Sequence, residues 1–224
     1  MRTIESLFPE TVAVAVWGAD EHLPPLYPVE REEVSRSVEK RRAEFSKGRV
    51  CARRALRRLG ISDGPIAVGP SRAPIWPKGI VGSITHCEGL VAAVAAHAVN
   101  EPAIGLDAEV LGALPQSLFD RVCTAKELEQ IRESEHGLVD WHTLIFSAKE
   151  SIHKALHPVT GIWLEFFDVE LSIDLAQKRF SASPGRALNP LVPVLSSICG
   201  RFDFFANFVV TGVFIRSVER GATE

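Results

Sequence analysis

Three short stretches carry residue types able to do chemistry. In FSAKESIHKAL, residues 146–156, Lys149, Glu150 and Lys154 set a carboxylate between two ammonium groups. In IGLDAEV, residues 104–110, Asp107 and Glu109 stand two apart. In VGSITHCEG, residues 81–89, Ser83, Thr85 and His86 offer two hydroxyls and an imidazole between Gly82 and Gly89. Aligned carboxylates suit a hard cation such as Mg2+, which takes a few carboxylates together with water and substrate phosphate oxygens. Ammonium groups offset phosphate charge, hydroxyls and a protonated imidazole donate hydrogen bonds to it, and a carboxylate can accept a proton. The joint content is a metal, a polyphosphate and a base.

Each group needs an element to aim it. Trp141, Leu144, Ile145, Ala148, Ile152, Ala155 and Leu156 recur at spacings of three and four, which predicts an amphipathic helix. On that helix Glu150 and Lys154 are an i,i+4 pair, and on an exposed face such a pair adds only about 0.2 to 0.5 kcal/mol. Asp107 and Glu109 on a strand point to one face, with Ile104, Leu106 and Ala108 on the other. The stretch from Gly82 to Gly89 reads as a turn carrying His86, and Leu90 to Ala96 as a buried strand. It lacks the GK[ST] ending of a Walker loop.

Elsewhere, Thr11 to Trp17 reads as a strand, and prolines at 24, 25 and 28 predict an irregular loop after it. Residues 28–60 read as one basic helix, or two broken near Gly48. Arg41, Arg42, Arg49, Arg53, Arg54, Arg57 and Arg58 lie on it, and two or three of them are expected to touch a ligand. Residues 118–133 read as one helix, 163–174 as a strand, and 198–215 as a hairpin turning at Ala206 and Asn207. The order of strand, helix and strands occurs twice. That predicts an α+β fold of two similar α/β halves with pseudo-twofold symmetry, residues 1–104 and 105–224, and an active site at their interface.

Composition narrows the class. Of 224 residues, 46% are hydrophobic and 24% charged, the balance of a globular chain. Glu5 and Glu10 interrupt what would be a signal peptide, and no apolar run is long enough to span a membrane, so a soluble cytoplasmic protein is expected. Cys51, Cys87, Cys123 and Cys199 form no CxxC pair, which argues against a zinc site or a disulfide framework. The net charge of −3 hides a basic segment, residues 31–58, with eleven Lys and Arg against four Glu. A nucleic-acid-binding helix is one reading of that segment, but the acidic remainder and the shortage of aromatic residues oppose it. A Mg2+-dependent phosphohydrolase is another reading of the acids, with water as the nucleophile.

GSITHCEG, IGLDAEV and FSAKESIHK, in that order, resemble the 4'-phosphopantetheinyl transferases of the surfactin and enterobactin synthetase type. That family's pattern is (I/V)G(I/V)D followed by (W/F)(S/C/T)xKE(A/S)xxK, met here except at Leu106. PIWPKGIVGSITHCEG is similar to the enterobactin-type branch with its WPxGxxGSxTHCxG, and KRRAEFSKGRVCARRAL resembles the arginine-bearing helix of that branch. The resemblance implies transfer of the phosphopantetheine arm of coenzyme A to a serine of an apo acyl or peptidyl carrier protein, releasing adenosine 3',5'-bisphosphate. It implies Mg2+, or Mn2+ in its place, held by Asp107, Glu109 and Glu150. Glu150 would also be the base, directly or through water, with Lys154 beside it in catalysis.

The same resemblance puts Lys149 and Lys154 on the phosphates, and Ser83, Thr85 and His86 on the diphosphate or the 3'-phosphate. Arg41 and Arg49 would grip the nucleotide's phosphates at the other edge. Some relatives carry a lysine before the WP element; this chain has Arg72 there as the corresponding contact. Fatty-acid, polyketide, peptide and siderophore carriers all remain open as partners, docking on the basic helix or on the apolar surface near the metal. A monomer without nucleic-acid or membrane partners is implied.

Overall fold

The computed structural model describes residues 3–18, 21–69, 71–134, 139–185 and 192–215. Strand β1 (Val12–Val16) is followed by helices α1 (Pro28–Glu33) and α2 (Glu39–Arg58) and then by the hairpin β2 (Ile80–Cys87) and β3 (Leu90–His97). Next come β4 (Ala103–Val110), helices α3 (Phe119–Val122), α4 (Ala125–Glu133) and α5 (Trp141–Thr160), and the hairpin β5 (Val169–Asp174) and β6 (Arg179–Pro184). Helix α6 (Val192–Ser196) leads into a last hairpin, β7 (Ile198–Phe205) and β8 (Phe208–Ile215).

The path winds the same way twice. A first strand is followed by a 20-residue helix, α2 or α5, and an antiparallel hairpin closes each sheet, giving the orders β1-β3-β2 and β4-β8-β7-β6-β5. The β5-β6 hairpin is the addition in the second unit. The fold is therefore α+β, as expected, but the expected division between residues 104 and 105 falls inside β4.

Alternation along the strands sets the layers. Ala92, Val94 and Ala96 of β3 share a core with Ile104, Leu106 and Ala108 of β4, while Val91, Ala93 and Ala95 turn to Ala52, Ala55 and Leu56 of α2. On the far side, Leu144, Ala148 and Ile152 of α5 pack with Ala103, Val209 and Val213. The resulting stack is α2, first sheet, second sheet, α5. It leaves Asp107 on the α5 side of β4, in step with Ala103 and Gly105.

Three local expectations are corrected. Helix α2 runs unbroken through Gly48, where a Cβ would lie 2.9 Å from Ile84 Cγ2; the glycine marks where the helix crosses β2, and the break comes earlier, between α1 and α2. The SITH segment is strand, and the turn is confined to Glu88 and Gly89, the latter at φ +89°. Gly82 instead makes room for the Trp76 indole, 2.4 Å from where a Cβ would be. The helix expected over 118–133 is split at Cys123, because Thr124 caps α4 by accepting from Glu127 N–H at 3.3 Å while Glu127 returns a bond to Thr124 N–H. The hairpin at Ala206 and Asn207 is present, with Ala206 at φ 52°.

Gly105 decides where the site can be. A Cβ there would sit 1.9 Å from the Ser151 carbonyl oxygen, so α5 rests directly on the β4 backbone. No side chain larger than hydrogen permits that approach, which brings the Glu150–Lys154 turn beside Asp107.

Candidate active site

Two neighbouring regions collect most of the residues singled out above. At the β4–α5 contact, Lys154 Nζ donates to Asp107 Oδ1 at 2.6 Å. Asp107 is buried, and its Oδ2 is buried with no hydrogen-bond partner. Burial raises the pKa of Glu109 to about 7, with the Asp107 charge adding to it, Lys154 opposing it and Glu150 contributing. Glu150 is pushed up from the usual carboxylate range by burial first; Lys154 pulls it down and Asp107 raises it. Three acids thus feel one another, with Lys154 as the single cation among them. Among the described residues no three His, Cys, Asp or Glu side chains already stand as a group able to hold a metal ion. The Lys154 ammonium is the cation bound to Asp107 in this arrangement.

Thr85 and Ser83 serve this strand instead of facing a ligand. Thr85 Oγ1 donates to Asp107 Oδ1 at 3.3 Å and accepts from Ala108 N–H at 3.1 Å. Ser83 Oγ accepts from Leu106 N–H at 3.1 Å and donates to Leu106 O at 3.4 Å. β4 is the edge of its sheet, and these hydroxyls satisfy outward backbone groups that would otherwise be buried unpaired. The expected phosphate contacts of Ser83 and Thr85 are therefore corrected: both are buried ties between β2 and β4, and Thr85 orients Asp107.

Lys149 is corrected too. Its ammonium is buried and donates to Val122 O at 2.8 Å, Glu127 Oε2 at 2.7 Å and Phe166 O at 2.8 Å, using all three N–H bonds. Consecutive helix positions lie about 100° apart, so Lys149 and Glu150 face different neighbours although they are adjacent in sequence.

The second region is a cavity of about 180 Å3 between α2, β2 and the 68–74 segment, lined by Arg41, Glu44, Phe45, Arg49, Arg72 and His86. Arg41 Nη1 donates to His86 Nε2 at 2.8 Å, so that nitrogen is an acceptor. Burial lowers the His86 pKa, Glu44 opposes the shift and Arg41 adds to it; the ring is neutral there. Arg49 is 5% exposed, its guanidinium lies 4.3 Å from the Phe45 ring centroid, and its Nε has no hydrogen-bond partner. Burial lowers its pKa to about 10, which still leaves it charged at neutral pH. Arg72 takes up a left-handed backbone, φ 65°, at the rim. The cavity sets three arginines against Glu33 and Glu44, a net positive lining with donors to spare.

Arg42 is exposed, and four further arginines of α2 are engaged elsewhere. Arg53 is buried against Glu30 at 2.8 Å, Arg54 meets Glu21 at 2.5 Å, Arg57 meets Asp63 at 3.5 Å, and Arg58 reaches the Val14 carbonyl. A docking role for Arg53 is excluded by that burial.

The apolar surface expected near the metal site takes the form of a cleft. An apolar cleft of about 630 Å3 opens beside Glu150 and Lys154, walled by Phe146, His153, Trp163, Leu164 and Phe166. The spacing of Phe146, Glu150 and His153 at four and three was a readable signal for one face of α5. Trp163 and Phe166 lie outside any motif.

Glu109 gives a prediction. Its folded pKa of about 7 stands above the 4.5 of an unfolded carboxyl, so the folded state binds more protons between those values. Its contribution to stability is complete below about pH 4.5 and is lost as pH rises through about 7. In metal-free buffer, urea unfolding at pH 5 and pH 8 should show the wild type losing on the order of 1 to 3 kcal/mol relative to Glu109→Gln. Parallel pH curves for the two proteins would refute the shift.

Known proteins resemble the chain along most of its length. The family model for the 4'-phosphopantetheinyl transferase N-terminal domain matches residues 29–96, and that for the 4'-phosphopantetheinyl transferase superfamily matches residues 103–188. The 4'-phosphopantetheinyl transferase Svp of Streptomyces mobaraensis is 39% identical over 211 residues, covering 92% of this chain and 85% of that protein. The 4'-phosphopantetheinyl transferase PptT of Mycobacterium tuberculosis is 31% identical, with 94% of each chain covered. Enterobactin synthase component D of Escherichia coli is 37% identical over 118 residues, 52% of this chain and 55% of that protein.

Proposed function

The chain belongs to the 4'-phosphopantetheinyl transferases, which move the phosphopantetheine arm of coenzyme A to a carrier protein, and from that premise we propose how its residues divide the reaction. The arginine cavity takes the nucleotide end of coenzyme A, with Arg41, Arg49 and His86 on its phosphates and Arg72 at the rim. The acids at the β4–α5 contact take the diphosphate and a divalent cation. Asp107, Glu109 and Glu150 would hold Mg2+, or Mn2+ in its place, and Lys154 would pass from Asp107 to a phosphate oxygen.

The observation that carries this division is the orphaned Asp107 Oδ2 beside two further carboxylates whose pKa values are raised. Hard oxygen donors with surplus negative charge fit Mg2+. Bound there, the ion would neutralise charge on the diphosphate and orient it. The chain's own residues do the rest. Glu150 is placed on the α5 face beside Asp107 to accept the serine proton, directly or through water. Lys154 offsets charge that builds on the phosphoryl oxygens and on the departing bisphosphate. The apolar cleft beside Glu150 is a passage for the arm.

No helix among the described residues is long and apolar enough to cross a membrane. A cytoplasmic location, a monomeric state, an organisation into two halves meeting near residue 104 and docking of the carrier on the apolar surface around the Glu150 cleft belong to the same proposal. Incubation with coenzyme A, Mg2+ and an apo carrier should add about 340 Da to the carrier, and EDTA should abolish the gain until Mg2+ is restored. Undiminished transfer in EDTA would remove the metal from this scheme.

A further inference from the structure

One turn beyond Glu150, α5 carries two imidazoles to which the transferase reading gives no phosphate, metal or proton-transfer role, although His153 also walls the cleft. His153 and His157 stand at i,i+4, with ring centroids 5.2 Å apart and planes 27° from parallel. Trp163 closes over both, its ring centroid 4.6 Å from that of His153 and 5.5 Å from that of His157, near-perpendicular to each. Both nitrogens of His157 are buried without a hydrogen-bond partner. A phenylalanine or leucine would fill the same space with no polar atom to desolvate, and each unsatisfied buried group costs about 1 to 3 kcal/mol. Packing alone gives no reason for a histidine here.

We propose that His153 and His157 form a chelating pair for a borderline divalent transition metal ion, typified by Zn2+, separate from the oxygen ligands of β4. Imidazole nitrogen suits Zn2+, Ni2+ and Cu2+, whereas Mg2+ takes oxygen donors. With Zn–N near 2.0 Å and about 1.1 Å from nitrogen to ring centre, each centroid lies about 3.1 Å from the ion, and tetrahedral ligands then put the two centroids about 5.1 Å apart. The observed spacing meets that requirement, and rotation about the ring torsions turns the stacked nitrogens toward one point. Because no third His, Cys, Asp or Glu completes a group among the described residues, water fills the remaining positions and binding is of moderate strength.

Titration calorimetry of the full chain with Zn2+, in buffer saturated with Mg2+, tests the pair. One Zn2+ per chain is expected, and His153→Gln and His157→Gln should each weaken it at least tenfold without loss of folded protein by circular dichroism. Cu2+ should quench tryptophan emission, with the greater part of the quenching lost in Trp163→Phe. Zn2+ affinity unchanged in both histidine variants, or quenching indifferent to Trp163→Phe, would overturn the proposal. Since neither readout involves transfer, its failure and that of the scheme for coenzyme A are separable.

Discussion

Asp107→Asn is expected to lower kcat/KM for carrier modification by about 10^2- to 10^3-fold at saturating Mg2+ while the protein stays folded. The substitution is close to isosteric. An asparagine oxygen in the Oδ1 position still accepts from Thr85 and Lys154, which lie 3.3 and 2.6 Å away in the wild type. What changes is the charge, and the group in the Oδ2 position, where the structure provides no partner. A carboxylate oxygen with no donor is a site for a cation; an amide NH2 there repels one. The Lys154 side chain retains 29% exposure, so the ammonium left beside a neutral residue can be hydrated, and Tm should fall by only a few degrees. Near-wild-type turnover in this variant would exclude Asp107 from the metal site, whereas a collapse of Tm would assign its effect to the fold.

Much of this geometry was legible because strands and helices have fixed periods. Alternation put Asp107 and Glu109 on one face of β4, and the structure keeps them there because Ile104, Leu106 and Ala108 fill the core on the other. What period cannot supply is the partner across space. Lys154 read as the i,i+4 mate of Glu150, yet the bond it makes at 2.6 Å is to Asp107, 47 residues earlier. Glycines misled in the same way. Gly48 and Gly82 looked like breaks and are close approaches, to Ile84 and to Trp76, which only the packed sheets reveal. The arginines of α2 look alike in sequence; Glu30, Glu21 and Asp63 decide which are engaged, and all three lie outside the helix. Ser83 and Thr85 were found as hydroxyls near a histidine, but their work depends on β4 being an edge strand, a property of topology.

Lys149→Met is expected to cost about 3 to 5 kcal/mol of stability, the largest effect on folding among the residues of the FSAKESIHK stretch. Glu127 is the reason. Its side chain is fully buried and accepts from Lys149, Thr124 N–H and Leu171 N–H, so it joins α5, the start of α4 and β5. Removing the ammonium leaves a carboxylate in the interior with two neutral donors. It also leaves the carbonyls of Val122 and Phe166 without the donor that draws them to α5, and both residues line the cleft beside Glu150. The double variant Lys149→Met with Glu127→Leu should recover part of the loss, because a buried pair replaced as a whole no longer strands a charge. A contact to coenzyme A phosphate predicts the reverse pattern: Tm unchanged, KM for coenzyme A raised, and no rescue by the second substitution. Urea unfolding and a KM measured well below the variant's transition distinguish the two, since a framework lysine shifts the first and a phosphate lysine the second.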